Sequence, residues 1–118
     1  NSVVLFYAWP SAASLLRYAV DVNNARRTVP VFARLLELLG RHSTARNIDI
    51  LAYSAGAQVL SPALAKLRQK YGTEDIEQLK ERLRLGEIYF AAPDVDFRVF
   101  LENLAIYIDL PNHVTLMN

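Results

Sequence analysis

Four short apolar runs, spaced by helical stretches, constrain this chain more than any other feature. Val3-Val4-Leu5-Phe6-Tyr7, Ile48-Asp49-Ile50-Leu51-Ala52, Glu87-Ile88-Tyr89-Phe90-Ala91-Ala92 and His113-Val114-Thr115-Leu116-Met117 are rich in β-branched and aromatic residues. They read as strands. Stretches of ten or more residues with helical periodicity separate them, which makes the order β-α-β-α-α-β-α-β. Helical crossovers between consecutive strands build a parallel sheet with helices on both faces. The expected class is therefore α/β, a three-layer α/β/α sandwich with a mostly parallel sheet. At 118 residues the chain accommodates one domain, residues 1–118, and little more.

The helical stretches carry their own punctuation. The first spans about Ala13 to Leu39 and is interrupted by Pro30, which predicts a kink or two helices. Phe32, Leu35, Leu36, Leu38 and Leu39 form its apolar side, Arg34 and Glu37 turn away, and Gly40 is the expected stop. An apolar helix from Ala57 to about Tyr71 contains Pro62. Thr73 is the expected cap of a surface helix bearing Ile76, Leu79 and Leu83. The last helix, about Asp96 to Ile108, is expected to face Val99, Phe100, Leu104 and Ile108 inward.

Composition excludes several functions. Thirteen Lys and Arg against twelve Asp and Glu give a net charge of +1, which offers nucleic acid no electrostatic footprint. The absence of cysteine removes disulfides, thiolate metal sites and cysteine nucleophiles. No apolar run approaches the roughly 18 residues of a membrane span. Gly40, Gly56, Gly72 and Gly86 are too scattered for a dinucleotide fingerprint or a P-loop, so no cofactor is expected. His42 and His113 lack metal-ligand spacing. The chain starts with Asn1 and opens at once into an apolar strand; the expectation is a fragment of a larger domain.

Parallel α/β sheets place their chemistry at the carboxyl ends of the strands. Ser11, Ser54 and Asp94 follow strands; His42 and His113 precede them. Ala52-Tyr53-Ser54-Ala55-Gly56 matches the nucleophile elbow G-x-S-x-G with Ala for the first Gly. A sharp strand-to-helix turn needs small residues on both sides of the serine, because the flanking positions pass close together. Such a turn lifts the Ser54 hydroxyl above the sheet and lets the Ala55 N–H donate to an oxyanion. A serine that merely caps the helix fits the same five residues. Asp94 could orient a catalytic histidine; alternatively Asp94 or Asp96 caps the following helix. Trp9 and Ser11 are expected to pack or to shape the rim.

Taken together, Leu5-Phe6-Tyr7-Ala8-Trp9-Pro10-Ser11, Leu35-Leu36-Glu37-Leu38-Leu39, the elbow segment and Phe90-Ala91-Ala92-Pro93-Asp94-Val95-Asp96 with Phe100 resemble a bacterial branch of the α/β-hydrolase superfamily described as of unknown function. The resemblance covers nearly the whole chain. It implies a partial α/β-hydrolase fold with Ser54 as nucleophile, Ala55 as an oxyanion donor and Asp94 as a candidate acid. The activity implied is hydrolysis of an ester or related acyl bond in a small-molecule substrate, through an acyl-enzyme. Tyr53 stands where the pattern has His or a small residue.

The order in this family is Ser, acid, His. His113 comes last, but at the start of its strand, on the order of 15 Å from the elbow edge. The resemblance therefore puts the base beyond Asn118, the second oxyanion donor before Asn1, and predicts an inactive fragment. It also places a strand between Val3–Tyr7 and Ile48–Ala52, so these two leave an open lane or pair directly. Exposed sheet edges would favour self-association. A non-catalytic binding or assembly module is the alternative.

Overall fold

The computed structural model describes residues 2–4, 22–53 and 56–117. The elements run β1 (Ser2–Val4), α1 (Val22–His42), β2 (Asn47–Tyr53), α2 (Ala57–Lys70), α3 (Ile76–Leu83), β3 (Leu85–Ala91), α4 (Phe97–Tyr107) and β4 (His113–Met117). This is the expected order. The strands form one sheet, β1-β2-β3-β4, and every neighbouring pair is parallel. β1 lies directly beside β2, with Ser2 opposite Asn47 and Val4 opposite Asp49. Of the two arrangements implied by the resemblance, direct pairing is the one present. Leu5 to Tyr7, Trp9, Ser11 and the start of the expected first helix lie outside the described residues.

Strands that step one way across a sheet, joined by right-handed crossovers, carry their helices on one face. The packing agrees. Ile48, Ile50, Ala52, Ile88 and Phe90 share a single core with Leu36 of α1, Leu60 and Leu64 of α2, Leu79 and Leu83 of α3, and Phe100 and Tyr107 of α4. The alternate residues of β2, Leu51 and Tyr53, point the other way and are exposed. The described residues thus supply the parallel sheet and one helical layer of an α/β fold consistent with a partial α/β hydrolase.

Several local expectations change. α1 runs through Pro30 as one helix rather than two. Pro30 is exposed, so water can satisfy the carbonyl it orphans. Glu37 does not turn away. Its side chain is only 9% exposed, between Lys70 at 2.9 Å and the Tyr71 hydroxyl at 2.8 Å. Burial raises its pKa, but the hydrogen bonds from Lys70 and Tyr71 outweigh that and hold the carboxyl below its ordinary value. Gly40 is not the stop either, since the helix continues to His42. A Cβ there would lie 2.6 Å from the Arg82 carbonyl oxygen and 3.1 Å from the Leu83 Cα. The glycine admits close approach of α1 to the end of α3.

The cap of α3 is Asp75, not Thr73; its carboxylate accepts from the Glu77 N–H. Asp75 sits two residues nearer the helix than Thr73, where its oxygen reaches a first-turn amide. In α4, Val99 and Ile108 are half exposed. The inward stripe is Phe100, Leu104 and Tyr107, the i, i+4, i+7 spacing of one helix face.

Tyr107 is fully buried, and its hydroxyl meets Ser61 Oγ at 2.9 Å, joining α4 to α2. Burial pushes the phenol up to about 12, with Ser61 opposing weakly. The folded state thus holds the proton more tightly than the unfolded chain. Stability from this group is full below about pH 10 and is lost as pH rises towards 12, by about 2 kcal/mol. Tyr107→Phe should cost about 1–2 kcal/mol at pH 7, because Ser61 is left buried without its partner. Urea denaturation at both pH values checks this: the variant should lack this part of the alkaline loss.

Candidate active site at the carboxyl edge

The chain leaves β2 at Tyr53 and begins α2 at its N-cap, Gly56. Only Ser54 and Ala55 separate the two, and both lie outside the described residues. Their flanks are defined. Ala52 is buried in the core, whereas Tyr53 is 69% exposed. A Cβ built on Gly56 would lie 3.8 Å from the Ala52 Cβ, ordinary van der Waals contact. The small residues two before and two after the serine therefore pass beside each other, which is what a tight strand-to-helix turn needs. The same distance explains why Ala is accommodated where the pattern has Gly. Gly56 has helical φ and ψ and provides no side-chain cap.

The second expected residue lies on the neighbouring connection. Tyr53 pairs in register with Ala91, so β2 and β3 finish at one level. After β3 the chain turns through Ala92, whose φ of 45° is left-handed. Such a conformation costs a non-glycine residue of order 1 kcal/mol or more and persists only where surroundings hold it. Here the Ala92 N–H donates to the Met117 carbonyl at 2.7 Å. Asp96 caps α4 by accepting from the Arg98 and Val99 N–H groups. Of the two aspartates that could cap α4, Asp96 is the one that does. Asp94 is exposed, and its carboxylate has no partner among the described residues.

Gln58, in the first turn of α2, joins the two connections. Its Nε2 donates to the Asp94 carbonyl at 2.7 Å. Only the amide nitrogen can donate to a carbonyl, which fixes the amide orientation. Sequence reasoning missed this residue. The available signal was a polar side chain in the first turn of an otherwise apolar helix, and that does not name its partner.

Both histidines lie at the other edge of the sheet. His113 begins β4, paired with Glu87, while Ala91 and Met117 close the same ladder. Four residue steps of about 3.3 Å put it roughly 13 Å from the level of Tyr53. Its Nδ1 meets Glu87 Oε1 at 2.7 Å on the exposed surface. His42 ends α1, shortly before β2 begins. Among the described residues no group of three or more His, Cys, Asp or Glu could hold a metal ion. No described helix is long and apolar enough to cross a membrane.

A family model described as "Alpha/beta hydrolase of unknown function (DUF900)" matches residues 1–118. No curated protein and no solved structure matches the chain.

Proposed function

Since the chain belongs to this family of α/β hydrolases of unknown function, we propose that it carries the nucleophile portion of a serine hydrolase acting on an ester or related acyl bond. The observation that carries the reading is the approach of Ala52 and Gly56 across the serine position. It leaves a two-residue passage from a buried strand to a buried helix. Ser54 Oγ attacks the acyl carbonyl while a histidine takes its proton. The oxyanion accepts from the Ala55 N–H, the leaving alcohol departs with that proton, and water then hydrolyses the acyl-enzyme. Asp94 is the candidate acid, with a carboxylate free of the capping role.

A general base needs a reach of roughly 3 Å, whereas His113 lies roughly 13 Å from the level of Tyr53 and His42 precedes β2 at the same far edge. The base in this reading therefore comes from outside the 118 residues, which form part of a larger hydrolase domain. Exposed Leu116 and Met117 on the terminal strand β4 support self-association at that edge. The non-catalytic alternative draws on the same remoteness of the histidines. It needs Ser54 to serve only as a cap of α2.

In the protein at its natural length, a fluorophosphonate probe is expected to label Ser54, and Ser54→Ala to abolish labelling. The 118-residue chain alone is expected to show no turnover of a p-nitrophenyl ester. A folded natural-length protein that stays unlabelled would overturn the reading.

A further inference from the structure

We infer that Gln58 is a positioning residue, which sets the Asp94 loop against the helix that follows the nucleophile; the inference rests on the serine-hydrolase reading. A strand-end loop is the least restrained part of a parallel α/β sheet, yet this one is held at three points. Ala92 is tied to Met117, Asp96 is committed to the N-terminus of α4, and the Asp94 carbonyl is held by Gln58. The first two fix the ends of the loop. The third fixes its middle, and it is the only one of the three made to α2.

The chemistry of the bond is selective. Gln58 holds the Asp94 main chain and leaves the carboxylate unengaged. A residue that instead bonded the carboxylate would occupy the group needed to orient a histidine. The left-handed Ala92 adds a reason for the anchor. A strained peptide next to a free loop would relax, and a hydrogen bond two residues on opposes that relaxation. Misplacement of a catalytic group by about 1 Å costs on the order of a hundredfold in rate, so a modest anchor can have a large kinetic effect.

The test uses the natural-length protein, the fluorophosphonate probe and two substitutions. Gln58→Ala removes the donor. Gln58→Glu keeps the shape, but its ionised carboxylate cannot donate, whereas its protonated form can. Both are expected to slow labelling of Ser54 about tenfold or more at pH 7.5, while the melting temperature stays within a few degrees. At pH 4, below the ordinary glutamate pKa of about 4.3, Gln58→Glu should recover towards the wild-type rate measured at that pH, and Gln58→Ala should not. A purely structural role would not produce that difference. Amide hydrogen exchange at residues 94–96 should quicken about fivefold in Gln58→Ala, the ratio one net hydrogen bond supplies.

Wild-type labelling with unchanged rates in both variants would overturn the inference and leave the hydrolase reading intact. An unlabelled wild-type protein would overturn the hydrolase reading, and this inference with it.

Discussion

Phe90→Ala is expected to destabilise the protein by about 4 kcal/mol. Phe90 lies in the middle of the sheet, level with Ala52 on one side and Leu116 on the other. It has no exposed surface. Its ring stands edge-on to Phe100, with centroids 5.0 Å apart and planes at 88°. Truncation removes the transfer free energy of the ring, opens a cavity that a β-sheet backbone cannot collapse to fill, and ends the aromatic pair. Buried Phe→Ala changes cost about 3–5 kcal/mol, and the pair adds roughly 0.5–1.5 to the burial term. Small neighbours aggravate the loss, because Ala52 cannot reach into the space. Phe97→Ala is the internal control. That ring is 64% exposed, so its removal should change stability by less than about 0.5 kcal/mol. Urea denaturation of the three proteins checks both values; equal midpoints for the two variants would refute the packing argument.

Arg84→Ala is expected to cost about 3 kcal/mol. Arg84 stands between α3 and β3 with φ at 52°, and its own N–H closes α3 onto the Lys80 carbonyl. Its guanidinium donates to the carbonyls of Gly40, Ser43 and Ala45 at 2.5–2.6 Å. The last carbonyls of a helix lack intrahelical partners, and here one planar fork serves the end of α1 and the link that follows it. Hydrogen bonds from a charged donor contribute about 1.5–3 kcal/mol each, reduced here by partial exposure and by water replacing some of the lost partners. Arg84→Lys should recover less than half, since an ammonium cannot span three acceptors in a plane. Arg84→Gly should be about 1 kcal/mol milder than Arg84→Ala, because glycine accepts a positive φ without strain. If alanine and glycine proved equally damaging, the left-handed conformation would not be part of the cost.

These two residues differ in how much of their role the sequence shows. Phe90 is legible. It lies in an apolar run with the length and composition of a strand, and such a run must be buried somewhere. Arg84 is not legible, because its partners are 39–44 residues away and are backbone atoms, which carry no residue identity. Gly40 is hard to read for a related reason. Locally it resembles a helix stop, and only the passage of the Arg82–Leu83 backbone beside it explains a glycine inside a helix. Helical periodicity alone turns Glu37 to solvent, whereas the groups that bury and hold it are Lys70, the last residue of α2, and Tyr71, its C-cap.

The candidate site divides along the same line. Order along the chain determined that Ser54 follows a strand and precedes a helix, that Asp94 follows the next strand, and that both histidines come before strands. Those facts are one-dimensional, and the parallel arrangement converts them directly into edges of a sheet. Patterning also determined the α/β class, since alternating strand and helix periods permit few alternatives. Tertiary structure alone decided that Asp96 rather than Asp94 caps α4, that Gln58 reaches the Asp94 carbonyl, and that β1 pairs with β2. Each of these depends on distances between segments far apart in sequence. Local preference is written into every residue, but which atoms meet is fixed only when the whole core packs.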